Sequence, residues 1–273
     1  MINHDLHIHT HISLCGDPGA SAEGYIEQAI KQGFTTIGFS DHFWDSAVPG
    51  ASRWYSKQDY AHICQLKAEV PTEHRGVRLL FGCEADCKMD GVVGISEEVA
   101  REFDFIIVAH GHDNMKNFVI PEECLATFEE HARFSVKHFK DIVNSPLHAY
   151  FTAVAHPFVP GTRHEETNSL LKCISDADFR ECFQMASDRN IAIEMNGSTF
   201  IEFSEEEIRN IEYVRMFSIA KECGCTFTYG SDSHWHMTDR QLHKVELMKT
   251  LCGISDENFL NADRLESKTF ING

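Results

Sequence analysis

Histidines 4, 7, 9 and 11 crowd the opening stretch 4-HDLHIHTHISLCGDPG-19, which otherwise reads as a buried strand. Each imidazole carries polar nitrogens that need partners, so a dry core accepts such a row only when something satisfies it. Side chains two apart on a strand share a face, which pairs His7 with His9 and His9 with His11. The row is therefore a satisfied structural cluster, a tag-like run, or one wall of a metal site.

The same residue types recur further on, in 40-SDH-42, at Glu84 and His110, in 155-AHP-157 and in 230-GSDSH-234. Each closes a short apolar run. Runs at 5–9, 35–40, 77–84, 104–110, 151–156, 191–196 and 226–232 read as strands. Amphipathic stretches near 22–32, 56–70, 95–103, 121–143, 166–189, 204–223 and 238–251 read as the helices between them. Ser96 and the Ser204/Glu207 pair supply helix starts, while Gly33 and Gly224 supply stops. This alternation implies parallel strands joined by right-handed crossovers. Seven such units favour an α/β, TIM-like barrel over a doubly wound sheet, and no GxGxxG follows the first strand. Six of the seven strand ends then deliver His, Asp or Glu to one rim, where barrels place their chemistry.

Imidazole and carboxylate suit Zn, Mn or Fe, and no clustered cysteines suggest a structural thiolate site. Seven or eight donors exceed the needs of one ion, so two or three divalent ions are expected. Glu84 could bridge two of them through its two oxygens. Such ions can bind a phosphoryl group, activate a water and neutralise a leaving oxygen.

A chain of 273 residues, 42% hydrophobic and 24% charged, can form one barrel domain over 1–273. It contains no long apolar span and does not open with signal-peptide features, so a cytoplasmic protein without membrane contact is expected. The ten cysteines contain no CxxC pair and are expected as free thiols. A formal charge of −18 opposes extended nucleic-acid binding, which needs a basic surface. A small phosphorylated substrate remains compatible, because bound ions add local positive charge. No heptad declares an oligomeric state.

Taken together, 5-DLHIHTHISLCGD-17, 38-GFSDH-42, 82-GCE-84, 109-AH-110, 155-AHP-157 and 230-GSDSH-234 resemble the polymerase and histidinol phosphatase (PHP) superfamily, in that family's order and across nearly the whole chain. The resemblance implies a distorted (β/α)7 barrel with two or three metals. It implies His7, His9, Glu84 and Asp232 around a first ion, with Glu84 bridging to a second held by His110 and His156. A third would use His42 and His234. Family members similar to histidinol phosphatases commonly read CGH in the loop after strand one, whereas this chain reads CGD, which offers Asp17 as an oxygen ligand.

On this reading the chain is a metal-dependent phosphatase acting on a small monoester, with L-histidinol phosphate the first substrate to test and a metal-bridging hydroxide as nucleophile. Glu84, Asp232 and His234 are the catalytic candidates; the general acid stays open among His234, Asp232 and His112. His11, His112 and His236 could orient ligands, face substrate or be polar surface, and His112 is the one taken as a substrate contact. Arg163, after strand five, either grips phosphate or is a solvated loop charge. Glu194 and Asn196 end strand six in a structural or ligand-orienting role. The competing functions are a phosphodiesterase or nuclease acting on short nucleotides, and a non-catalytic metal-binding regulator.

Overall fold

The computed structural model describes residues 2–71, 74–161 and 166–270. Its strands are β1 (His4–Ile8), β2 (Thr36–Phe39), β3 (His42–Phe43), β4 (Arg78–Ala85), β5 (Phe105–Ala109), β6 (Ala153–Ala155), β7 (Ala192–Asn196) and β8 (Phe227–Gly230). All pair in parallel in the order β1-β2-β4-β5-β6-β7-β8, and the two-residue β3 lies beside the end of β4. Every strand expected from the sequence is present.

Among the described residues no ladder joins β8 to β1. The seam is instead stitched near the C-terminal ends of the strands, where Ile8 bridges Ser233, Asp232 N–H donates to His7 O at 2.8 Å and His9 N–H donates to Ser233 O at 2.9 Å. Further down, Ser231 N–H donates to Asp5 Oδ1 at 3.0 Å, and His4 Nε2 lies 3.0 Å from Thr228 Oγ1. His4 is thus a satisfied seam residue. The result is a nearly closed TIM-like barrel.

Small residues shape the barrel interior. Leu6, Leu80, Phe105, Ile107, Ala153, Ala155 and Ala192 form an inner cluster separate from the larger core between strands and helices. A Cβ on Gly38 or Gly82 would come within 2.5 Å of the Phe105 ring, so glycine at both positions makes room for this aromatic plug. Side chains two apart share a face. Glu84 therefore follows Gly82, and Glu194 follows Ala192, upward from the plug toward the rim. The register of β1 against β2 shifts between Asp5 and Ile8, and both Leu6 and His7 turn inward there.

The helices are α1 (Ala22–Gln32), α2 (Tyr60–Ile63), α3 (Glu97–Ala100), α4 (Phe128–Val143), α5 (Thr167–Lys172), α6 (Asp176–Asp188), α7 (Gly197–Phe200), α8 (Glu205–Ile208), α9 (Tyr213–Glu222) and α10 (Asp239–Leu251). Gly33 ends α1 in the left-handed conformation at φ 78°, and Ser204 with Glu207 forms a complete capping box on α8. Several expected helices are subdivided. The 56–70 stretch holds only the one-turn α2 between 3-10 turns, with Asp59 accepting from His62 N–H. Internal caps at Thr127 and Ser175 start α4 and α6, so 121–143 and 166–189 are not single helices. No helix among the described residues is long and apolar enough to cross a membrane.

Candidate metal centre

The strand ends converge on Glu84, which is fully buried. His156 Nε2 lies 2.8 Å from Glu84 Oε1, and His42 Nδ1 lies 2.7 Å from Oε2. His9 and His7 Nε2 stand 3.5 and 3.6 Å from the same Oε2, and Asp232 Oδ1 is 3.4 and 3.6 Å from those nitrogens. The two Nε2 atoms face each other at 3.0 Å. Donor atoms of His7, His9 and Glu84 lie within 4.8 Å of one another, as do those of His7, His156 and Asp232 and those of His42, Glu84 and His112.

Hydrogen bonds from behind aim the rings. His7 Nδ1 donates to Glu194 Oε1 at 2.7 Å, His156 Nδ1 to His110 O at 2.9 Å and His112 Nδ1 to Asp86 Oδ2 at 3.1 Å. A proton held on Nδ1 leaves the Nε2 lone pair of each ring directed into the cluster, an arrangement characteristic of metal-bound histidines. Glu194 also accepts from His156 N–H at 2.6 Å and from Asn196 Nδ2 at 3.1 Å, and Asn196 Nδ2 reaches Asp232 Oδ2 at 3.2 Å. His156 and Asp232 take positive φ, 33° and 54°, which is costly for residues with a Cβ.

The electrostatics call for more cation. Within 4 Å and among the described residues, every charge partner of Glu84 and Asp232 is a histidine. Burial alone would raise Glu84, yet His42, His7 and His112 hold its carboxyl well below the usual range. Burial would lower His7, yet Glu194, Asp232 and Glu84 hold its ring well above the ordinary imidazole value. Against the same burial effect, Glu84 lifts His156 to about 9. His42 Nδ1 and Glu84 Oε2, although close, do not meet in hydrogen-bonding geometry, and both are buried without a hydrogen-bond partner. Divalent cations would satisfy these converging lone pairs, and the imidazole–carboxylate set fits them.

Four sequence-based expectations need correction or a limit. His110 does not join the cluster: its Nε2 donates to Ser135 O and its Nδ1 accepts from Phe158 N–H, each at 2.9 Å. His112, expected at the substrate, stands in its place because Gly111, at φ 113°, turns the chain inward beneath Val159. Asp17 does not join either; its Oδ1 accepts from Gly19 N–H at 2.7 Å. The fourth donor beside His9, His42 and His234 is Cys15. Arg163 lies outside the described residues. His11 leaves the row, with Nε2 on Glu69 at 2.9 Å. Sequence reasoning also missed Asp86, which only its place two residues beyond Glu84 could have suggested.

Gly230 shows how closely the site is built. A Cβ there would come within 2.0 Å of Glu194 Oε1 and 2.4 Å of His7 Cβ. Gly230→Ala is expected to cost about 3 kcal/mol by overpacking and to loosen metal binding by displacing Glu194; an unchanged Tm and metal content would contradict this geometry.

A cleft of about 350 Å³ opens beside the donors, lined by Cys15, His42, Trp54, Tyr55, His112, Asn114 and Met115. The Trp54 ring meets His42 edge-on at 4.9 Å. A larger cavity of about 750 Å³ opens elsewhere, around Asn3, Thr226, Phe259 and Arg264, and none of the converging donors lines it.

Comparison with known proteins agrees with this architecture. The PHP domain model matches residues 5–214, which include His7, His9, His42, Glu84, His112 and His156; Asp232 and His234 lie beyond it. A probable phosphatase of Proteus mirabilis is 24% identical over 231 residues, spanning 84% of this chain and 78% of that protein. Another, from Clostridium novyi, is 21% identical over 269 residues, spanning 97% and 93%. The crystal structure of a histidinol phosphate phosphatase from Lactococcus lactis, complexed with Zn, L-histidinol and phosphate, superposes with a TM-score of 0.60 at 19% identity, covering 93% of this chain and 94% of that one. At that identity the likeness is one of fold. Since the domain model spans most of its length, the chain belongs to the PHP domain family.

Proposed function

We propose that this protein is a metal-dependent phosphatase of small phosphate monoesters. The observation that carries the reading is the convergence of five imidazoles, His7, His9, His42, His112 and His156, with Asp232 around the buried Glu84. His7, His9, Glu84 and Asp232 would hold one ion, and Glu84, His112 and His156 would complete the adjoining position. Bound divalent ions supply Lewis-acid stabilisation of phosphoryl charge and lower the pKa of water.

The chain's own residues supply the rest. Glu194 and Asp86 hold His7 and His112 in one tautomer, so no reorganisation is needed when negative charge develops. Asp232 and His234 sit at the accessible edge of the donor set, with side chains 21% and 38% exposed, where a proton can pass between the site and an alcohol leaving group. Trp54, backed by the buried Tyr55, offers an aromatic face for a planar or cationic alcohol, and the cleft has room for a compact one. That lining supports L-histidinol phosphate as the first substrate to try, and Arg163 is the proposed additional phosphate contact.

The test is a screen of protein reconstituted separately with Zn, Mn and Fe against monoesters, nucleotide diesters and single-stranded DNA. Monoesters should be turned over fastest, and Arg163→Ala should mainly raise KM with metal content unchanged. Faster cleavage of diesters or DNA than of every monoester would overturn the substrate class. Bound metal without turnover of any of these would favour a regulator.

A further inference from the structure

We infer that Cys15 is a metal ligand, so that the outermost position of the centre is a mixed thiolate–imidazole site shared with His42 and His234, beside the His9 ring of the inner position. The inference rests on the metal-centre reading above. Cys15 Sγ and one ring nitrogen of each of these histidines all lie within 4.8 Å of one another. Of the ten cysteines, all free thiols, Cys15 alone belongs to a group of converging donors among the described residues.

The loop after β1 is folded so as to present this side chain. Ser13 N–H donates to Thr10 O at 3.1 Å and Gly16 N–H to Ser13 O at 2.9 Å, which closes two successive turns. Glycine is required at 16, because a Cβ there would come within 1.9 Å of Thr10 O. Leu14 N–H is held by Gln58 Oε1 at 3.0 Å on one side, and Asp17 N–H by His234 O at 2.9 Å on the other. Cys15 is therefore fixed between the cleft and the histidines, while the Asp17 carboxylate is engaged by Gly19.

The buried ring of His42 and the half-buried ring of His234 each bring a nitrogen within 4.8 Å of the sulfur, and His234 stacks on His9 at 4.3 Å, which sets its ring beside the inner donors. Two imidazoles and a thiolate fill three corners of a tetrahedral ion and leave the fourth to a solvent or substrate oxygen. As the sulfur–metal bond forms, the thiol proton leaves to solvent. Thiolate favours Zn or Co over the harder Mn, so this position differs in preference from the carboxylate-rich one around Glu84.

The full-length protein, stripped of metal and reconstituted with Co(II), gives the test. Wild type should show a near-ultraviolet sulfur-to-cobalt charge-transfer band, absent from both Cys15→Ser and Cys15→Ala. Visible cobalt absorption from the Glu84 position should persist in both variants, which shows that they fold. The zinc-loaded protein should likewise show a sulfur shell at about 2.3 Å by X-ray absorption, lost in the variants. Cobalt-loaded wild type without the band, or a band retained by either variant, overturns the assignment of Cys15. Failure of wild type to bind cobalt at all would instead remove the metal-centre reading, and the monoester screen is scored independently of both.

Discussion

Glu84→Gln should abolish most of the activity and release metal while leaving the barrel folded. The substitution preserves volume but removes the negative charge at the point where His42, His156, His7 and His9 meet. An amide nitrogen would also replace one of two oxygens that both face imidazole nitrogens. We expect at least one equivalent of metal to be lost and kcat/KM to fall by about 10³-fold or more, equivalent to about 4 kcal/mol of transition-state stabilisation. Elemental analysis, steady-state kinetics and circular dichroism on one preparation check this. Near-normal metal content and turnover would show that Glu84 is not shared between ions.

A paired substitution separates the two neighbouring histidines with opposite results. His112→Ala removes a ring aimed by Asp86 and should cost one equivalent of metal; it also takes a donor from the buried Asp86 Oδ2, so metal content rather than Tm is the readout that separates the pair. His110→Ala leaves the donors in place but strands Phe158 N–H in the core and removes the second bond to Ser135 O, which keeps its partner within α4. An unmet buried hydrogen bond costs about 1–3 kcal/mol. This variant should therefore retain metal and melt earlier. Metal loss in His110→Ala without loss in His112→Ala would restore the ligand set implied by family resemblance.

That reversal marks where the sequence stopped being informative. His7, His9, Glu84 and Asp232 were legible because period-two alternation and a parallel strand order assign their rim without further knowledge. The choice between His110 and His112 depends on the Ser135 carbonyl of α4, far along the chain, and on the left-handed turn at Gly111. Sequence spacing carries neither. Cys15 and Asp17 present the same difficulty: both flank Gly16, and only the folded path of the loop decides which side chain faces the histidines. The 56–70 stretch alternates polar and apolar residues as one helix would, but the Asp59 cap delays the start to Tyr60 and the chain tightens into a 3-10 turn from Cys64, which the alternation does not reveal.

The stitched seam between β1 and β8 has a consequence in time. His7 and His9 are made before Asp232 and His234, with every other strand of the barrel between them, so a growing chain passes through a stage that holds only part of the donor set. Until β8 docks, β1 remains an open strand edge with His4 and Asp5 lacking their partners Thr228 and Ser231. Contacts so distant in sequence form slowly, and unpaired edges invite association with other chains in the interval. An ion held jointly by donors of β1 and β8 would accordingly be captured late in maturation and would clasp the first strand to the last.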